Sequence, residues 1–103
     1  MSTPFKYLFS PLRLRQCDIR NRILSTGHQT YLAKGGLPSD ELVAYHEARA
    51  RGGAGLIILE AARFHTTALS DSPEIVVASD DCIPGYRKIA EAVHRHGAKG
   101  FGQ

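Results

Sequence analysis

The chain has 103 residues, a formal net charge of +3, 43% apolar and 22% charged side chains, an ordinary globular balance that excludes a disordered chain. Acids are scattered among the bases and no basic run is interleaved with aromatics, which argues against a nucleic-acid surface. Cys17 and Cys82 belong to no CxxC or ligand-spaced cluster, so reduced thiols are expected; with neither a signal-peptide core nor a bilayer-length apolar stretch, the pattern predicts a cytoplasmic protein away from membranes.

Leu12-Arg13-Leu14-Arg15 and Asp18-Ile19-Arg20 alternate apolar and polar side chains around Gln16-Cys17, the pattern of a small exposed hairpin. Arg22-Ile23-Leu24-Ser25-Thr26 reads as a short buried strand cut off by Gly27, and a loop with a Gly-Gly break runs from His28 to Gly36. Pro38-Ser39-Asp40-Glu41 signals a helix start: Ser39 is the candidate N-cap, with two acids at the positive end of the dipole. The helix is expected to run to about Arg51 and to end at Gly52, a residue tolerant of positive φ. A strand from Leu56 to Ala62 follows. The polar stretch from Arg63 to Asp80 is long for a βα connection, which favours a functional loop. After Asp81 and Pro84, Tyr86, Ile89, Ala90 and Val93 recur at i, i+3, i+4 and i+7, predicting a helix with one buried face. Gly97 ends it and a last strand begins at Ala98 or Lys99.

Arg51-Gly52-Gly53-Ala54-Gly55 and His96-Gly97-Ala98-Lys99-Gly100 therefore repeat one step, a helix ending at glycine and feeding a buried strand. Strand-helix alternation of this kind means a parallel α/β sheet, either closed as a barrel or open and doubly wound. Parallel strands need neighbours on both edges, so the chain reads as the opening of a larger protein. The glycine run at 52–55 precedes its strand, whereas a dinucleotide fingerprint must follow one; Gly100-Phe101-Gly102 stops before a third glycine could complete it.

In either architecture the ligand lies at the C-terminal ends of the strands, which selects Thr26, Gly27, His28, Gln29, Ala61, Ala62 and Gln103. Gly27 lets backbone approach a ligand closely, His28 and Gln29 donate or accept, and the Gln103 amide does both; that inventory suits a planar heterocycle better than a bare phosphate. A lone histidine after a strand is as often structural as functional, and a terminal glutamine means nothing by itself. Glu60, within an apolar run, reads as a structural carboxylate. His94 and His96 diverge on their helix and are expected at its surface, while Tyr31 and His65 lie in loops near the same rim. No catalytic pair or triad is visible, so the catalytic residues are unknown and no metal site is expected.

Leu8-Phe9-Ser10-Pro11-Leu12, Ile19-Arg20-Asn21-Arg22-Ile23, Tyr45-His46-Glu47-Ala48-Arg49-Ala50-Arg51-Gly52-Gly53-Ala54-Gly55-Leu56-Ile57, and His94-Arg95-His96-Gly97-Ala98-Lys99 with Gln103 stand in an order and spacing that resemble the amino-terminal part of FMN-dependent NADH:flavin oxidoreductases of the Old Yellow Enzyme family. The resemblance implies a TIM barrel of which residues 1–103 form about three of eight strands, an incomplete barrel with the short N-terminal hairpin plugging its bottom. It implies that Thr26, Gly27 and His28 line the flavin through backbone groups, that Ala61 approaches the ring, and that Gln103 bonds its pyrimidine edge.

Ser25-Thr26-Gly27-His28 is most similar to the branch of 2,4-dienoyl-CoA reductase, trimethylamine dehydrogenase and N-methyl amine demethylases. Gln29 stands where a relative's cysteine bonds FMN covalently, so this resemblance implies non-covalent FMN, with NAD(P)H as reductant and an enone, enoyl or N-methyl amine as small-molecule substrate. The family's substrate-binding and proton-donating residues, and any 4Fe-4S cluster or FAD domain, would lie beyond Gln103; the 103-residue chain alone is expected to be inactive, and the full-length protein could be a homo-oligomer. Two rival readings stand beside this one: a non-catalytic truncated βα module, and another TIM-barrel enzyme acting on a phosphorylated metabolite.

Overall fold

The computed structural model describes residues 4–68 and 74–103. In chain order its elements are β1 (Leu12–Leu14), β2 (Cys17–Ile19), β3 (Leu24–Ser25), α1 (Asp40–Arg51), β4 (Leu56–Ile58), β5 (Ala62–Arg63), β6 (Ile75–Val76), α2 (Ile83–Arg95) and β7 (Lys99–Phe101). The hairpin forms as its alternation predicts, with Leu12 opposite Ile19 and Leu14 opposite Cys17. Arg15 makes the turn at φ 54.

The central sheet is parallel in the order β3-β4-β7. Leu24, Leu56 and Lys99 are in register, as are Ser25, Ile57 and Gly100. Both crossovers are helical, as parallel neighbours require. One face is covered: Ile57 packs with Leu42 and Ala50 of α1, Ile89 and Val93 of α2, and Ala98. Burying a side chain such as Ile57 or Val93 contributes about 1.5–3 kcal/mol each. On the opposite face Leu24 is 49% exposed. At the N-terminal end of the strands, Leu12, Leu14 and Ile19 of the hairpin line a cavity of about 250 Å³ with Ile23, Leu24 and Leu56, so the hairpin sits beneath the sheet.

Local signals set the helix ends. Ser39 caps α1 by accepting from Leu42 N–H at 3.1 Å, and its own hydroxyl donates to Leu32 O. The expected left-handed glycine is displaced by one residue: Gly52 stays helical at φ −72 and Gly53 takes φ 118. The helical bonding runs one residue further before reversing, since Gly52 N–H still donates to Ala48 O at 3.0 Å. A 3₁₀ turn, Asp80–Cys82, leads into α2, whose Pro84 occupies the first turn, where its missing N–H costs nothing. Ile89 and Val93 are buried as predicted and Ala92 joins them, while Tyr86 and Ala90 are partly buried. Gly97 stops α2 at φ 79.

Two strands are shorter than the pattern predicts. The strand expected over 22–26 is confined to β3. That expected over 56–62 ends at Ile58; after Leu59 N–H donates to Phe101 O at 2.8 Å, the chain leaves the sheet and Ala62–Arg63 pairs with Ile75–Val76 instead. The segment expected as an unbroken loop over 63–80 thus contains β6, held by Val76 N–H to Gly36 O at 2.8 Å and by the Arg63–Glu74 ion pair at 2.5 Å. Its middle, 69–73, lies outside the described residues.

Two residues after the hairpin tie the bottom of the fold together. Arg20 donates to Ala50 O at 2.8 Å, to Ala54 O at 3.0 Å, and to His96 O, so a single cation ties together carbonyls at and just past the C-terminal ends of both helices, Ala50 O also accepting from Gly53 N–H at 3.1 Å. Asn21 donates to Gly53 O at 2.8 Å and accepts from Ile23 N–H at 3.0 Å. Its amide leaves no room beside residue 55: a Cβ there would lie 2.5 Å from Asn21 Oδ1, so only glycine fits.

Candidate functional site

The C-terminal tips of the three parallel strands meet. Gly27 is the point of contact, because a Cβ on it would overlap Gln103 Nε2 and lie 2.9 Å from Leu59 O and 3.2 Å from Ile58 Cγ2. One glycine therefore touches the ends of both other strands of the sheet, and its missing side chain is what lets them close.

The residues around Gly27 are held in different ways. His28 Nδ1 is 3.2 Å from Thr26 O, and its Nε2 pairs with the Tyr45 hydroxyl on α1. Donation from Nδ1–H to the carbonyl leaves Nε2 to accept from the phenol. Arg49 lies 3.5 Å over the Tyr45 ring and donates to Tyr45 O at 2.9 Å, which fixes the phenol from the other side. The imidazole is thus occupied by its own scaffold, and what His28 offers the rim is main chain. Gln29 is the opposite case: its Nε2 is buried and has no hydrogen-bond partner. Thr26, Ala61 and Gln103 are exposed at the tips.

Glu60, the first residue past Leu59, is 1% exposed. Its carboxylate accepts from Thr30 Oγ1–H at 2.8 Å and from Thr30 N–H at 3.4 Å. The expected structural role therefore has a definite content, a tie between the loops after β3 and β4. Burial, with Cys82 and Glu60 nearby, pushes the Tyr86 phenol up to about 12, so it remains protonated at neutral pH.

Of the other residues singled out, Tyr31 is 58% exposed at the rim and takes φ 59, a conformation rare for a bulky side chain. His65 is exposed and engaged within its own turn, with Nδ1 2.7 Å from Thr67 Oγ1. His94 is exposed as expected, but His96 is partly buried, with Nε2 3.1 Å from Glu47 Oε1 on α1. The sequence reading missed His46, which shares the inward face of α1 with Leu42 and Ala50 and is 3% exposed. Burial, then the charges of Arg49 and His28, hold its imidazole down to about 4. Its fourfold spacing from Leu42 and Ala50 was the available signal. Among the described residues no three of His, Cys, Asp or Glu gather as metal ligands, and no helix is long and apolar enough to cross a membrane.

The strand tips therefore bring the Gln103 amide against Gly27, and the loop after β3 holds a buried amide donor at Gln29 that has no partner. A planar heterocycle with donors and acceptors along one edge fits that set.

The profile of the NADH:flavin oxidoreductase / NADH oxidase family matches residues 7–103. The chain is 41% identical over 103 residues to an NADH oxidase of Thermoanaerobacter brockii, covering 98% of this chain and 16% of that protein. It is 35% identical over 101 residues to an N,N-dimethylglycine/sarcosine dehydrogenase of Chromohalobacter salexigens, covering 92% of this chain and 14% of that protein. The solved structure of the old yellow enzyme from Trypanosoma cruzi superposes with a TM-score of 0.86 at 35% identity, covering 98% of this chain and 27% of that one. The chain thus spans a small part of the length of each of these relatives.

Proposed function

The chain belongs to the NADH:flavin oxidoreductase / NADH oxidase family, and from that membership we propose that residues 1–103 are the opening three strands of an FMN-dependent TIM-barrel oxidoreductase. The observation that carries this reading is the meeting of the three strand tips, where Leu59 O and Gln103 Nε2 crowd Gly27. Main chain at Thr26, Gly27 and His28, with Gln29, Ala61 and Gln103, would hold the flavin. FMN when bound supplies hydride transfer, between NAD(P)H and either an enone or enoyl acceptor or an N-methyl amine donor. The chain's own part is binding and orientation. Gly27 lets the strand tips converge, the two amides would read the donor-acceptor edge, and the Tyr45–His28 contact keeps the turn from shifting.

Glutamine at position 29 has no nucleophilic sulfur, so the flavin is non-covalent. In this reading the proton donor, the substrate-binding residues and any iron-sulfur or FAD-binding parts are not among residues 1–103, and the enzyme works in the cytoplasm. The test is to express the full-length gene product and record its visible spectrum. A yellow protein that releases FMN on denaturation, and whose spectrum bleaches anaerobically with NADH or NADPH, is expected. A colourless protein that takes up no FMN overturns the reading and leaves the non-catalytic module or an enzyme of phosphorylated metabolites.

A further inference from the structure

A carboxylate shielded from water is costly unless hydrogen-bonded, and Glu60 turns both of its oxygens to one residue of the neighbouring loop. Both of its oxygens face Thr30, one accepting from the side chain and one from the main chain. Thr30 Oγ1 in turn accepts from Leu32 N–H at 3.2 Å. Residues 30–32 are therefore organised around one buried acceptor. Tyr31, at the centre, is held at φ 59, and outliers of this kind persist only where the surroundings over-determine them. On the other side of Thr30 stands Gln29, whose amide Nε2 is buried and unpartnered. His28, before it, is fixed by Tyr45 and Thr26. The residues on both sides of Gln29 are pinned while its own donor is left open.

We propose that Glu60 is a positioning residue: through Thr30 it fixes the loop after β3 so that the Gln29 amide is held ready for an acceptor on a planar ligand. This rests on the flavin reading above for the identity of that ligand. Glu60 touches neither the cofactor nor the substrate. It acts at the distance of one residue, by denying the loop alternative conformations. A carboxylate is needed rather than an amide because both groups facing it are donors. A glutamine would turn an N–H₂ toward one of them and leave that donor without an acceptor.

The test uses the full-length gene product and four proteins: wild type, Glu60→Gln, Thr30→Val and Thr30→Ser. FMN is titrated into apoprotein and read by flavin fluorescence, and exchange of the Leu32 amide is followed in parallel. Hydrogen bonds to a charged group are strong enough that Glu60→Gln and Thr30→Val should each weaken FMN by about tenfold or more. They should also speed Leu32 exchange, while Thr30→Ser, which keeps the hydroxyl, restores both. Folded Glu60→Gln and Thr30→Val proteins that bind FMN like the wild type overturn the proposal, since a merely structural carboxylate would lower stability without moving FMN affinity. Should Glu60→Gln fail to fold, the Thr30 pair decides. If the wild type itself binds no FMN, the flavin reading falls, and unchanged Leu32 exchange in the variants would separately overturn the positioning role.

Discussion

Replacing Arg20 by alanine removes one guanidinium that serves three carbonyls, at 2.8 Å for Ala50 O, 3.0 Å for Ala54 O and closer for His96 O. The Ala50 carbonyl belongs to a residue with no exposure but keeps a second donor, Gly53 N–H at 3.1 Å, and the other two carbonyls can turn to water. Taking each of the three lost bonds at about 0.5–1 kcal/mol gives about 1.5–3 kcal/mol. In urea, with a slope of about 1 kcal/mol/M for a chain of this size, the unfolding midpoint should fall by about 1.5–3 M with the slope unchanged. Far-UV circular dichroism at low micromolar concentration measures it. Arg20→Lys keeps the charge but not the fork, and a single ammonium should recover a third to a half of the loss. An alanine variant within about 0.5 kcal/mol of wild type, the scatter of ordinary surface substitutions, would refute the three-carbonyl reasoning, and full rescue by lysine would show that charge alone matters.

Two further outcomes follow from the packing. Folding holds His46 neutral, with its imidazole lowered from 6.5 to about 4. The unfolded chain therefore binds more protons in between, and stability that is complete above pH 6.5 should fall by up to about 3 kcal/mol as pH drops toward 4. His46→Leu should flatten urea midpoints across that window, and an unchanged acid loss would exclude His46 as its source. Gly27→Ala places a Cβ 2.9 Å from Leu59 O, a backbone atom that cannot step aside as the Gln103 side chain can. It should cost about 1–3 kcal/mol and weaken FMN binding, whereas Gly102→Ala, with nothing within 4 Å, should be nearly silent in both urea unfolding and FMN titration. Equal behaviour of the two variants would contradict the crowding at Gly27.

The elements legible in the sequence are those with local causes. Ser39 followed by Asp40 and Glu41 marks a helix start wherever it occurs, and Gly97 before Ala98 marks a stop. The order of strands and helices then follows from the parallel alternation, and the fold rule carries Thr26, Gly27 and Gln103 to one rim. What escaped were partners distant in sequence. Nothing near Arg20 announces three carbonyls that lie 30 or more residues downstream, and Glu60 gives no hint that Thr30 is its donor. The choice of Gly53 over Gly52 for the reversal turned on a single additional helical hydrogen bond, an energy too small for adjacent glycines to reveal. Gln29 could be named from its position after a strand, but an amide buried without a partner is visible only in three dimensions.

The guanidinium of Arg20 also imposes a timetable. Its first acceptors are 30 and 34 residues downstream and its last is 76 residues away. At a ribosomal pace of about 5–20 residues per second, that final carbonyl is polymerised roughly 4–15 s after the arginine. During synthesis the nascent chain can thus clasp its first helix early, yet the base remains half-latched until the second helix has emerged.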